Sequence, residues 1–533
     1  MAIATGMDDN ARDDQRRNAV GRIAPAIAIT AVVLVSAVVF ARLGIDTSVI
    51  TLVVVAAIVL VLSTVMMAPK AAVVATVLLL FFGNRNEIPQ LMFWGRYVPT
   101  VGIALVILSA FMWHLTHAAP LRGGRILTLY GLFTAFVLAS AFFNHSTGRD
   151  AVLSLATNLR YPLFFVALVN LRLSTRFLRR ILWLMVGLTL LQVPVALYQF
   201  LVAGKSSDFL VGTMGQNGPL LAVVLASQFM LIAVWLTKRG WLPLLGAAIL
   251  LVPVLLGDIE AGVVFLPIVI AWVILRHFGW RRLGPAAVRL AGAIILLVAC
   301  VVAAAVDIPA VRGFMTKALP RYTDADYYTD PATVRDGSLG RLTVFYYAIP
   351  LLATDPFRLL WGYGPESAQG GLMTAHFDDV STTDAVGAGV VCKELNYRGV
   401  SCRESQTFRS VMEFGFGGLV VYLIPVLLLW RGTGRQLRRG DRHDVIIAAV
   451  FEAQCAFFVL LAPWYISVWR LDAYSLPFWL TAAVAYQRRL QLERRLTEPT
   501  RDAVSASVPV FRSGGWNRNG GVVRGVSRRL SRS

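Results

Sequence analysis

Residues 219–237 read PLLAVVLASQFMLIAVWLT, nineteen positions without a formal charge, and Lys238 and Arg239 follow at once. A bilayer core about 30 Å thick needs roughly 20 apolar residues of helix to cross it. The stretch therefore predicts a transmembrane helix. Its basic end predicts which side is cytoplasmic, because Lys and Arg collect in cytoplasmic loops.

Stretches of the same kind recur along the chain. They lie at 23–41, 47–67, 70–83, 99–118, 126–143, 150–171, 181–203, 241–257, 261–275, 290–306, 411–430, 445–463 and 468–486. With 219–237 they predict an all-α polytopic membrane protein of about fourteen helices (12–14). Segments 70–83 and 261–275 are short, and tilted or re-entrant paths stay open for them. Composition agrees: 57% of the 533 residues are hydrophobic, 15% are charged, and the mean hydropathy is +0.66. Soluble domains are about 45–50% apolar and about 25% charged. A soluble enzyme and a disordered chain are excluded for most of the length.

The net charge of +20 would suggest nucleic acid in a soluble protein. Here its placement answers a different question. With the N-terminus inside, thirty-three of the fifty Lys and Arg fall on inner segments and five in short outer loops. Both termini are thus expected in the cytoplasm, and no nucleic-acid partner is expected. Segment 1–22 is mixed in charge and leads straight into a span, so no cleavable signal peptide is expected. The tail 488–533 is rich in Arg, Ser and Gly. It is expected to be disordered and to lie on anionic lipid, each basic residue contributing about 1 kcal/mol.

The resulting plan has a cytoplasmic segment 1–22, helices over 23–306, an extracytoplasmic loop domain at 307–409, helices over 410–487, and the tail. The loop domain carries twelve acids and ten bases. Any anion site there must come from individually placed arginines. Cys392 and Cys402 lie ten positions apart on the oxidising side, where a disulfide is expected and free thiols are the plainer alternative. Cys300 and Cys455 fall within spans and read as small core residues.

Ionisable residues inside spans are costly and suggest a site. Arg160, in ATNLRYPLFFVAL, is the clearest case. It fits either a structural partner for a buried acid or carbonyl, or a guanidinium gripping phosphate bidentately. Glu452, Arg470 and Asp472 lie near span ends, where snorkelling or mutual pairing explains them. His114 and His117 share a helix face at the cytoplasmic end, and no metal-binding or nucleotide-binding motif accompanies them. No metal and no cofactor is expected.

Three segments carry a resemblance. They are VGTMGQNGPLLAVVLA at 211–226, GRLTVFYYAIPLLATDPFRLLWGYGPES at 340–367 and RESQTFRSVMEFGFGGLVVYL at 403–423. In order, spacing and sidedness they resemble the O-antigen ligase and polymerase superfamily of bacterial envelope glycan enzymes. The resemblance implies a GT-C-like fold in the bacterial plasma membrane. It implies metal-independent, inverting transfer of glycan from a polyprenyl-diphosphate-linked donor on the extracytoplasmic face to a glycan or glycolipid acceptor. Arg341 matches the family's Arg before a Gly-x-Gly turn and is expected to bind the diphosphate. Arg160 resembles an arginine placed in an earlier span for the same purpose. Gly362 and Gly364 match the turn, and Glu413, Gly415 and Gly418 match a Glu-x-Gly-x-x-Gly element that looks structural. The family's His falls on Glu404 and its Asn on Ser405. A carboxylate can also deprotonate a sugar hydroxyl, so Glu404 is the expected base and Arg403 its tuning neighbour. Arg321, Gln216 and Asn217 complete the expected substrate-binding set. The sequence also leaves room for a flippase or exporter of lipid-linked saccharides, and for a non-enzymatic scaffold of envelope assembly.

Overall fold

The computed structural model describes residues 68–82, 98–117, 120–204, 212–214, 217–238, 240–256, 349, 352–353, 355–365, 367, 406–438, 440–460 and 472–497. Of these residues 87% are helical, and none forms a strand. Among them five helical stretches are long and apolar enough to cross a membrane: Gly124–Phe143, Gly148–Asn170, Thr175–Leu201, Gly218–Lys238 and Arg409–Leu437. The expected spans 23–41, 47–67, 261–275 and 290–306 lie outside the described residues.

The helices are, in chain order, α1 (Pro69–Phe82), α2 (Val98–His117), α3 (Gly124–Phe143), α4 (Gly148–Asn170), α5 (Thr175–Leu190), α6 (Gln192–Leu201), α7 (Asn217–Lys238), α8 (Trp241–Ile249), α9 (Val252–Leu256), α10 (Pro356–Trp361), α11 (Gln406–Leu437), α12 (Arg442–Leu460) and α13 (Asp472–Thr497). Each boundary has a local cause. Ser174 caps α5 by accepting from the Phe177 amide, and Thr147 caps α4 by accepting from the Asp150 amide. Asp441 and Asp444 form a reciprocal box at the start of α12. The Asp441 carboxylate accepts from the Asp444 amide at 3.0 Å, and Asp444 accepts from the Asp441 amide at 3.0 Å.

The helix over 219–237 is the most enclosed of the five. In α7, 83% of the span window is buried, against 33% in α3. A helix apolar on all sides belongs inside a bundle. It packs against α8 and α12. Inside, the Ser227 hydroxyl bonds Thr189 of α5 at 2.9 Å. A second core joins α3, α4, α11 and α13 through rings. Tyr130 meets Tyr422 at 5.8 Å and Trp479 at 6.0 Å, Phe133 meets Phe414 at 5.6 Å, and Phe165 meets Trp479 at 5.6 Å.

Helix ends pair as the charge pattern requires. At one end, Asn170 of α4 clamps the Arg122 backbone in both directions, at 2.8 and 3.0 Å. The Arg172 guanidinium lies 5.2 Å from the Trp113 ring centre. Gln487 donates to the Leu168 carbonyl, and Arg488 bonds Asp441 and Asp444. These are all ends that the sequence assigns to the cytoplasmic face. The opposite ends of α1, α3, α6 and α11 meet residues 212–214 and 361–364.

Several helix bounds differ from the sequence reading, among them the start of α11, which is Gln406 rather than 411. The span expected at 181–203 begins at Thr175, because Ser174 caps a basic first turn that hydropathy alone skips. The span at 241–257 is two helices, α8 and α9, with Leu250 and Leu251 between them. The tail expected to be disordered from 488 is helical to Thr497. Residues 487–497, QRRLQLERRLT, are nearly all strong helix formers, and Arg488 is tied to α12.

Candidate functional site

Two of the three resemblance segments meet in one joint. Asp355 caps α10 by accepting from the Phe357 amide at 2.9 Å, with Pro356 pre-set for the first turn. The helix ends after one and a half turns at Gly362, with φ 72° and ψ −164°. Gly364 follows at φ +99°. In α11 the ladder breaks at Gly415, with φ 64° and ψ −175°. That break frees carbonyls of the preceding turn, which must find other donors. The 362–364 turn supplies them. The Tyr363 amide donates to Met412 O at 2.8 Å, and the Gly364 amide donates to Glu413 O at 3.1 Å.

The glycines are what allow the approach. A Cβ on Gly362 would lie 2.6 Å from backbone atoms of Glu413, Phe414 and Gly415. A Cβ on Gly415 would lie 2.7 Å from the Leu359 carbonyl oxygen. Gly417 is equally constrained, at 2.7 Å from the Leu360 oxygen, and the Glu-x-Gly-x-x-Gly pattern does not include it. Around the joint, Trp361 stacks on Phe136 of α3 at 4.3 Å, and its carbonyl accepts from the Ser140 hydroxyl at 2.8 Å. The Arg358 guanidinium covers the Tyr363 ring at 4.6 Å. The Trp361–Gly364 end of this stretch packs against the helices, while α10 itself buries no residue.

Glu413 is fully buried, two residues before the break at Gly415. Arg409 donates Nε–H to its Oε1 at 2.7 Å. A buried carboxylate is retained at tolerable cost only with such a partner. Arg409 escaped the sequence reading because its role depends on the i,i+4 geometry of a helix whose start was set at 411.

Arg160 occupies a second cluster, at the meeting of α2, α4 and α13. One Nη–H donates to Thr100 Oγ1 at 2.6 Å, and the other nitrogen lies 3.5 Å from Asp472 Oδ1. The Tyr161 hydroxyl donates to the same Asp472 oxygen. The guanidinium carbon is 4.7 Å from the Tyr161 ring centre. The Arg160 side chain is 19% exposed and that of Asp472 16%. Asp472 and Glu452, read as span-end residues that snorkel or pair with one another, have partners elsewhere: Glu452 pairs with Arg438 of α11.

Of the expected site residues, Gly362 and Gly364 are therefore in the joint and Arg160 is in the α2–α4–α13 cluster. Asn217 is the first residue of α7. Arg341, Arg321, Arg403, Glu404, Gln216, Cys392 and Cys402 lie outside the described residues. Arg403 and Glu404 directly precede α11 in the chain. Among the described residues no group of three or more His, Cys, Asp or Glu could hold a metal. Compared with known protein families, the chain matches no family model, and compared with curated proteins it matches none.

Proposed function

We propose that this protein is a membrane glycosyltransferase. It transfers or polymerises glycan from a polyprenyl-diphosphate-linked donor on the extracytoplasmic face of a bacterial plasma membrane. The observation that supports this reading is the backbone joint. Gly362, Gly364 and Gly415 belong to two short segments about fifty residues apart, each a weak motif alone. Their amides and carbonyls satisfy one another, so the two motifs are parts of one unit. That unit lies nine residues into α11, and Arg403 and Glu404 precede the helix in the sequence.

The chemistry asks little of the protein. The acceptor hydroxyl oxygen attacks the anomeric carbon of the donor sugar. The bond from that carbon to the diphosphate oxygen breaks, and its electron pair leaves with the lipid diphosphate. Glu404 takes the hydroxyl proton. Arg341 and Arg160 stabilise the charge that grows on the diphosphate, as preorganised cations in a partly dry site do. Attack from the face opposite the leaving group inverts the anomeric centre. Anionic lipid at the basic cytoplasmic face holds the protein's other side. The experiment is turnover by purified protein in proteoliposomes given lipid-linked oligosaccharide and acceptor glycan. Glu404→Gln and Arg341→Ala are expected to lose at least about a hundredfold in rate. Full activity in both folded variants overturns the assignment.

A further inference from the structure

The Arg160 cluster poses an energetic problem that its geometry solves. A guanidinium at membrane depth is expensive without a counter-charge. A site that binds a diphosphate is nevertheless empty between turnovers. Asp472 supplies the counter-charge at that stage, 3.5 Å from the Arg160 nitrogen. When an anion takes over Arg160, the carboxylate would be left alone in the same apolar setting. Tyr161 meets that cost, because its hydroxyl already donates to the Asp472 oxygen nearest the arginine. Thr100 accepts from the other end of the guanidinium at 2.6 Å. The Arg160 and Asp472 side chains keep 19% and 16% of their surface exposed.

We infer that Asp472 is an exchangeable counter-ion for Arg160: it neutralises the guanidinium at rest and yields it to the substrate diphosphate, while Tyr161 stabilises the released carboxylate. This makes Asp472 and Tyr161 positioning residues for the anion site of the proposed reaction, on which the inference rests. Neither residue touches the reacting atoms.

The test is titration of the full-length purified protein with a short prenyl diphosphate, farnesyl diphosphate, followed calorimetrically. Arg160→Ala is expected to abolish the specific component. Asp472→Asn removes the competitor without changing shape, so affinity is expected to rise. Couplings between competing groups usually amount to about 5- to 150-fold. Tyr161→Phe removes the donor that stabilises the released carboxylate, so affinity is expected to fall. A merely structural cluster moves both variants in the same, weaker direction, and that result overturns the inference. So does unchanged affinity in Tyr161→Phe, which carries the test if Asp472→Asn fails to fold. Absence of any Arg160-dependent binding also overturns it and leaves the glycosyltransferase reading to the turnover assay. Opposite shifts in the two variants together with no glycan transfer keep the counter-ion exchange and remove the transferase.

Discussion

Gly415→Ala is the sharpest perturbation of the joint. The native φ of 64° and ψ of −175° lie in a region open essentially to glycine alone. A side chain there costs about 1–3 kcal/mol in backbone strain. The added methyl also meets the Leu359 carbonyl oxygen at 2.7 Å, and that atom is backbone with little room to yield. Moving α10 away sacrifices the two hydrogen bonds donated by the Tyr363 and Gly364 amides. Each contributes about 0.5–1.5 kcal/mol, which brings the expected destabilisation to about 2–6 kcal/mol. The assay is thermal unfolding of the full-length protein in lipid nanodiscs, followed by tryptophan fluorescence. Trp361 is stacked on Phe136 beside the joint and is one of thirteen tryptophans, so a Trp361→Phe background isolates its share of the signal. The control is Gly131→Ala in α3, where an added Cβ meets nothing within 4 Å. That change should be neutral or stabilise by up to about 1 kcal/mol. Gly362→Ala should act on the same joint, so the double variant should fall well short of the sum of the singles. A Gly415→Ala protein that unfolds like the Gly131→Ala control refutes the interlock.

Other outcomes follow from the same geometry. Arg409→Ala takes the partner from a fully buried Glu413 and should cost about 3–5 kcal/mol, with Arg409→Met/Glu413→Leu closer to wild type, read by the same unfolding assay. Asn170→Ala removes both bonds to the Arg122 backbone and should cost about 1–3 kcal/mol in that assay. The hydrogen bond from the Asp444 amide holds the Asp441 carboxyl below its ordinary value, with the Arg488 charge adding to it. Its contribution is therefore present above the unfolded carboxylate range and lost as pH falls through the lower folded value. Asp441→Asn keeps the cap and should flatten that acid limb of a stability–pH profile. Peptide mapping without reductant should show Cys392 joined to Cys402 and Cys455 as a free thiol.

The five long apolar helices were legible in the sequence, for a physical reason. A span must carry its whole hydrophobic signal within one stretch, as 219–237 does, so each helix announces itself locally. The helix ends misread were those set by something other than hydropathy: the Ser174 cap, and the Arg-rich but helix-forming end of α13. The candidate site divides the same way. Gly362, Gly364, Gly415 and Arg160 stood out because glycine pairs and buried charges are conspicuous alone. Their partners did not. Asp472 lies 312 positions from Arg160, and nothing in the order of residues links them. Gly417 was invisible because what it avoids, the Leu360 carbonyl, belongs to another segment. Arg409 needed a helix start that hydropathy placed too late.

The central claim is that this protein forms glycosidic bonds from a lipid-diphosphate donor. Its most direct measurement is product analysis after incubating purified wild-type protein in proteoliposomes with polyprenyl-diphosphate-linked oligosaccharide and acceptor glycan. The account predicts longer or transferred glycan with an inverted linkage and release of polyprenyl diphosphate, both lost in Glu404→Gln. Well-folded protein that only moves the intact donor across the bilayer, with no new linkage formed, would contradict it.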